Sequence, residues 1–248
     1  MEDKNLVRIN KYFSEMGYCS RREADKFIEK KQVTINGVIA EMGAKVSDND
    51  EIRLNGKLIS TKANKPVYIA FNKPQGIVCT TDNKREKNNI IDYINFPERI
   101  FPIGRLDKDS QGLILLTNHG DIVNKILRAR NNHEKEYLVT VKHSITKSFM
   151  KKMGDGVPIL DTVTKKCFVE QIDEYRFRII LTQGLNRQIR RMCEQLGNKV
   201  RNLQRYRIMN INLDVPLGQW RHLTKQELNE INQCLSDSSK TTDNPQNG

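Results

Sequence analysis

Two Asn-Gly pairs, Asn36-Gly37 and Asn55-Gly56, constrain the N-terminal part of this chain more than any other feature. Both residues of such a pair accept the left-handed backbone of a tight two-residue hairpin turn. Val33 and Ile35 alternate ahead of the first pair, and Ile52 and Leu54 ahead of the second, so each pair is read as closing a short hairpin. Upstream, Ile9, Phe13 and Met16 recur at helical spacing, and Gly17 suits a helix stop. Ser20 and Glu23 then form an S-x-x-E capping box, opening a second helix whose inner face is Ala24, Phe27 and Ile28. Residues 6–60 thus read as two helices followed by hairpins, a small unit of about 55 residues that can still bury a core.

The outer faces of these helices carry Arg8, Lys11, Arg21, Arg22 and Lys26, with little acid among them. A solvated face is one reading of such charges, and a nucleic-acid surface is the other. The whole chain favours the second: 42 Lys+Arg against 30 Asp+Glu give a net charge of +12, which suits polyanions. Residues 8–59, in helix–helix–hairpin order and in the stretch "RINKYFSEMGYCSRREADKFIEKKQVTINGV", resemble the S4 RNA-binding domain. That resemblance implies that the five basic residues contact RNA.

A membrane protein is not expected, because the apolar runs fall well short of the ~20 residues that span a bilayer. "MEDKNLVRIN" lacks the apolar core of a signal peptide. The five cysteines, Cys19, Cys79, Cys167, Cys193 and Cys234, are scattered, with no C-x-x-C. That pattern fits reduced thiols in cytoplasm, and neither a disulfide framework nor a zinc site is expected.

"STKANKP" (Ser60–Pro66) reads as a polar linker, after which the texture changes. "VYIAFNKP", "GIVCT", "LILLT", "EYLVTV", "KKCFVEQI" and "YRFRIILT" are strand candidates, and "IVNKILRA", "TKSFMKKM" and "RQIRRMCEQLG" are helix candidates. The expected fold class is α+β: the small domain over 6–60, then a domain over 66–235 on a mixed, largely antiparallel sheet. "SDSSKTTDNPQNG" (236–248) has almost no apolar content and is expected to be a disordered tail.

The chemistry is concentrated in "GRLDKDSQGLILLTNHGD", where Asp107, Asp109 and Gly112 stand at D-x-D-x-x-G spacing. A calcium loop starting at Asp107 would want an acid at Gln111 and a bidentate Glu at Asn118, so it fails. A metal-dependent phosphatase wants its first acid at the end of a buried strand, and "FPIGR" interrupts one. An isolated motif of this kind would be read as an ordinary polar turn.

The rest of the chain changes that reading. "GRLDKDSQGLILLTNHG", "FNKPQGIVCTT", "EKEYLV" and "GLNRQIRRMCEQLG" occur in order and closely resemble the motifs of pseudouridine synthases of the small-ribosomal-subunit type, many of which carry an N-terminal S4 domain. The resemblance covers about residues 8–230 and is strongest to the F-type group acting on large-subunit (23S) ribosomal RNA. Leu185 replaces a basic residue common in the wider family, and the F-type group shares this leucine.

The resemblance implies that Asp107 is the catalytic carboxylate, that Tyr137 packs against the uracil, and that Arg190 is the basic partner of the acid. Arg105, Lys108, Arg187 and Gln188 would hold the flipped nucleotide, Asn72 and Lys73 would support the site or the RNA backbone, and Asp109, Ser110 and Gly112 would shape the turn. The implied reaction needs no cofactor. The implied partner is a structured loop or bulge of 23S ribosomal RNA, with transfer RNA as a second substrate left open and a monomer as the default. A non-catalytic S4-type RNA-binding or ribosome-assembly factor is the competing reading.

Overall fold

The computed structural model of the chain describes residues 6–59, 65–127 and 133–240. The expected linker residues 60–64, residues 128–132 and the end of the expected tail, 241–248, lie outside the described residues. The chain divides into two compact units.

The first unit comprises the chain up to Val67 together with Phe96–Ile100 and Asn118–Gly120. It holds β1 (Val7–Arg8), α1 (Ile9–Glu15), α2 (Arg21–Glu29), β2 (Val33–Ile35), β3 (Val38–Ile39), β4 (Lys45–Val46), β5 (Ile52–Leu54) and β6 (Lys57–Leu58). α1 stops where Gly17 takes a φ of +78°. α2 opens on the expected capping box: Ser20 Oγ accepts from the Glu23 amide at 3.2 Å, and the Ser20 amide donates to Glu23 Oε2 at 2.8 Å. The two hairpins turn at Asn36-Gly37 and Asn55-Gly56, with all four φ values positive, and lie side by side in the order β3-β2-β5-β6. Ile9, Phe13, Ala24, Ile28, Val33 and Ile52 form one buried core. A side chain such as Phe13, with no exposed surface, contributes about 1.5–3 kcal/mol by leaving water. Arg8, Arg21, Arg22 and Lys26 are exposed, whereas Lys11 is partly buried and ion-paired with Glu15 at 3.3 Å.

The second unit comprises Tyr68–Asn95, Phe101–Thr117 and the chain from Asp121 onward. Its elements are β7 (Tyr68–Lys73), α3 (Ile90–Ile94), β8 (Phe101–Ile103), β9 (Gln111–Thr117) and α4 (Gly120–Leu127, whose first residue belongs to the first unit). Next come β10 (Lys135–Val141), α5 (Lys147–Asp155), β11 (Pro158–Ile159), β12 (Thr162–Val163), β13 (Phe168–Gln171) and β14 (Arg176–Leu181). The unit closes with α6 (Gln188–Gln195), β15 (Val200–Ile208), β16 (Ile211–Asn212), β17 (Trp220–His222) and α7 (Lys225–Lys240).

Nine strands make one sheet with the path β13-β14-β10-β15-β9-β7-β17, and β16 and β8 pair beside β15 and β9. Every pairing in it is antiparallel except β15 with β9, which run parallel through Gln204↔Gln111 and Arg205↔Gly112. The architecture is therefore α+β on a mixed, mostly antiparallel sheet, as the sequence predicts. One core gathers Val139, Phe149, Phe177, Ile189 and Met192, joining β10 and β14 to α5 and α6. A second gathers Ala70, Leu113, Leu115, Ile122 and Ile231, joining β7 and β9 to α4 and α7.

Three local expectations change. "GIVCT" is not a strand; it makes a single bridge, Val78↔Asn89, after a turn in which Gly76 takes a φ of +87°. β15, absent from the strand candidates, is central to the sheet. α7 continues through Lys240, beyond the expected start of the tail at residue 236.

Candidate active site

A cleft of about 490 Å³ opens in the second unit, lined by residues of both its cores, among them Ile126 and Ile208 from one and Leu181 and Ile189 from the other. Its volume suits a small organic group such as a nucleobase. Two loops and two strands bring polar side chains to it.

The first loop joins β8 to β9 and carries Arg105, Asp107 and Lys108. Leu106 anchors it in the interior, its amide donating to Cys79 Sγ at 3.4 Å. The Ser110 amide closes the turn on the Asp107 carbonyl at 3.1 Å, and the Gly76 amide donates to the Lys108 carbonyl at 2.7 Å. This bracing leaves the Asp107 side chain one-third exposed at the cleft, so its carboxylate is held in place yet reachable. Arg105 and Lys108 are exposed beside it, and Lys108 lies 3.8 Å from Glu86.

The second loop leads into α6. Arg187 is the N-cap residue of α6 and has left-handed backbone, with φ of +49°. Its guanidinium grips Asp109 with both nitrogens, at 3.0 and 2.8 Å, and Nη1 also lies 3.8 Å from Asp107. Arg190, one turn into the helix and nearly buried, donates through Nη2 to the Asp109 carbonyl at 2.8 Å and to Ser110 Oγ at 3.1 Å. Its Nε lies 3.3 Å from the Asp109 carboxylate. The hydrogen bonds from Arg187 hold the Asp109 carboxyl below its ordinary range, and burial lowers the Arg190 guanidinium from its usual value.

The pairing expected between Arg190 and Asp107 therefore takes another form. The contacts of Arg190 go to the neighbouring Asp109 and Ser110, and the arginine beside Asp107 is Arg187. Position in the helix explains this: Arg190 enters from the buried face, with Ile189, Met192 and Cys193, and meets the base of the loop.

The strands are β10 and β15; Tyr137 of β10 is paired with Ile179 of β14 and Arg205 of β15. The Arg205 guanidinium lies 6.0 Å from the Tyr137 ring centroid, within reach of a cation–π attraction. Arg205 is almost fully buried, and its Nε donates to the Leu113 carbonyl at 2.6 Å. Lys135 and His133 precede Tyr137 at alternate positions and also line the cleft, and burial lowers the pKa of both.

Three residues expected to touch RNA are inside the protein. Lys73 has no exposed surface, and its Nζ donates to the Pro74 and Ile77 carbonyls at 2.8 Å each. Burial pushes its ammonium down to about 8. Asn72 is nearly buried and donates to the Val215 carbonyl at 2.8 Å. Gln188 is equally buried, its Oε1 accepting from the Leu185 amide at 3.0 Å. All three donate to or accept from the main chain of neighbouring loops, as buried polar groups generally do, and of the three only Gln188 lines the cleft. Conversely, Arg205 and Lys135 line the cleft without having been singled out in the sequence. Their spacing relative to β10 and β15 becomes visible only once the two strands are paired.

Among the described residues no group of three or more His, Cys, Asp or Glu comes together as a metal site would require, and no helix is long and apolar enough to cross a membrane.

Residues 67–195 match the family described as RNA pseudouridylate synthase, and residues 7–52 match the S4 domain. The chain belongs to the RNA pseudouridylate synthase family. The synthase is 59% identical over 235 residues to the dual-specificity RNA pseudouridine synthase RluF of Salmonella typhi, a match covering 94% of this chain and 81% of the relative. It is 33% identical over 244 residues to the ribosomal large subunit pseudouridine synthase B of Bacillus subtilis, covering 95% and 99% of the two chains. A solved structure described as a pseudouridylate synthase superposes with a TM-score of 0.66 at 32% identity, covering 91% of this chain and 99% of that one. The synthase is accordingly an isomerase that acts on RNA, and its N-terminal part is an S4 RNA-binding domain.

Proposed function

We propose that the synthase converts a specific uridine of 23S ribosomal RNA to pseudouridine, with Asp107 as the catalytic carboxylate. The observation that carries this reading is the placement of a braced, reachable Asp107 carboxylate at a cleft that also presents the Tyr137 ring. A relative named as a large-subunit synthase supports the ribosomal target, and a relative named dual-specificity supports a second RNA substrate, for which we propose a transfer RNA uridine. The synthase works as a monomer in the cytoplasm.

The reaction breaks the bond between uracil N1 and ribose C1′, turns the base, and joins C5 to C1′. The C5 proton leaves and N1 gains one, so oxidation state and phosphate count do not change. An ionised carboxylate serves either as nucleophile at C1′ or as base toward a sugar proton. The target must leave its stack to reach Asp107, at a cost of a few kcal/mol that is least in a loop or bulge. Tyr137 supplies a stacking face for the turned-out base, and its hydroxyl stands available for the C5 proton. Arg105 and Lys108, exposed beside Asp107, meet the adjoining phosphates. The S4 domain adds sequence-independent affinity through Arg8, Lys11, Arg21, Arg22 and Lys26.

RNA tritiated at uracil C5 should release tritium with the wild-type synthase and none with Asp107→Ala, while RNA binding persists. Release by Asp107→Ala at the wild-type rate would overturn the assignment and favour a non-catalytic role for that acid. Mapping pseudouridine in ribosomal and transfer RNA with and without the gene identifies the uridine.

A further inference from the structure

One nitrogen of Arg187 serves two acids. Nη1 lies 3.0 Å from Asp109 Oδ1 and 3.8 Å from Asp107 Oδ2, while Nη2 lies 2.8 Å from Asp109 Oδ2. Asp109 thus makes both short contacts, and Asp107 is left just outside hydrogen-bond range. Moving Nη1 by about 1 Å would bring it to the ~2.8 Å of a charge-assisted bond with Asp107.

We infer that Asp109 is a positioning residue that holds Arg187 off Asp107, leaving the catalytic carboxylate unmasked. This inference rests on the proposed role of Asp107. Asp109 is itself fixed from the other side, because the buried Arg190 binds its carbonyl and the neighbouring Ser110 hydroxyl. The Arg187 backbone is fixed at the start of α6. The competition is therefore between two carboxylates for one side chain whose root does not move. Asp109 wins on geometry, because its two oxygens match the guanidinium fork.

Removal of the Asp109 charge releases Arg187 to the only acid left within its reach among its described ion pairs, Asp107. A carboxylate capped by a guanidinium is a poorer nucleophile and base, and its face toward the cleft is blocked. Arg187 then changes from a neighbour of the site to an inhibitor of it.

This reversal of role supplies the test. Asp109→Asn keeps the size of the side chain and the backbone carbonyl that Arg190 uses. Single-turnover tritium release at saturating enzyme should slow by about 10- to 100-fold, the weight of one charge-assisted hydrogen bond. The dissociation constant for the RNA and the thermal midpoint serve as controls and should stay near wild type. Arg187→Gln placed in the Asp109→Asn background should then restore the rate by at least about fivefold, because it removes the group that masks Asp107. A purely structural role for Asp109 predicts the opposite, a double variant as slow as the single one or slower, and that result overturns the inference. Wild-type release by Asp109→Asn overturns it as well. Asp107→Asn, assayed in parallel, separates this failure from failure of the catalytic assignment: if it retains activity, the assignment of Asp107 is what falls.

Discussion

Replacement of Gly112 by alanine should damage both the sheet and the site, by an amount that follows from the seam between β9 and β15. Gly112 has a φ of +106°, which side-chain-bearing residues rarely adopt, at a cost of about 1–3 kcal/mol. A Cβ at that position would lie 2.7 Å from the Arg205 nitrogen and press still closer on its carbonyl oxygen. Both obstacles are main chain, so relief requires one strand to retreat from the other by several tenths of an ångström or more. Forced backbone shifts of this kind cost about 1–3 kcal/mol. Together these give a destabilisation of about 4 kcal/mol, or a thermal midpoint lowered by roughly 10 °C. Urea unfolding followed by far-ultraviolet circular dichroism measures it directly. Because Arg205 lies beneath Tyr137, turnover on C5-tritiated RNA should fall in the fraction that stays folded. A Gly112→Ala protein within about 0.5 kcal/mol of wild type would refute the reasoning, since it would mean the strands do not approach as closely as described.

Other outcomes follow from single features of the structure. Ser20→Ala opens the capping box and should destabilise the synthase by about 1 kcal/mol in urea unfolding, with release of tritium at saturating RNA unchanged. Lys73 titrates near 8 when folded and near 10.4 when unfolded, so between those values the unfolded chain binds the extra proton and Lys73 favours folding more as pH rises. The unfolding free energy of wild type minus that of Lys73→Met should therefore grow by about 3 kcal/mol from pH 8 to 10.5, and a flat difference would contradict the burial argument. Taking that difference is necessary because thiols raised by burial or partial burial, to about 11 for Cys19 and Cys167 and about 12 for Cys193, weaken folding over the same range. Replacing Arg21, Arg22 and Lys26 together by alanine should reduce the slope of log affinity against log salt by about 2–3, as counterion release predicts for three lost phosphate contacts.

What was legible in the sequence is what is local. The capping box at Ser20 and the Asn-Gly turns are decided within a few residues, and the structure contains them as read. The candidate site was legible only as a set of motifs, because its geometry depends on which loop meets which helix. Arg190 could be named from its motif, yet its actual partners, Asp109 and Ser110, depend on the face from which α6 approaches. β15 escaped notice for a physical reason: "VRNLQRYRI" carries three arginines, a glutamine and an asparagine, where a central strand is expected to be apolar. One of those arginines, Arg205, is buried with its Nε on the Leu113 carbonyl and its Nη1 on the Arg105 carbonyl. For Lys73 the motif left two roles open, support of the site or of the RNA backbone, and only the fold shows that its ammonium is held by main-chain oxygens.

The parallel junction of β9 with β15 also bears on how the molecule is assembled. Its paired residues, Gly112 and Arg205, are widely separated in the chain, whereas β7 with β9 and β10 with β14 can pair over shorter spans. Closing the larger loop is the step with the greater entropy penalty, so each half of the sheet can form before the halves meet. Asp107 stands on one half and Tyr137 on the other. During refolding, catalytic competence should thus be a reporter of the final closure alone, appearing after most secondary structure has returned.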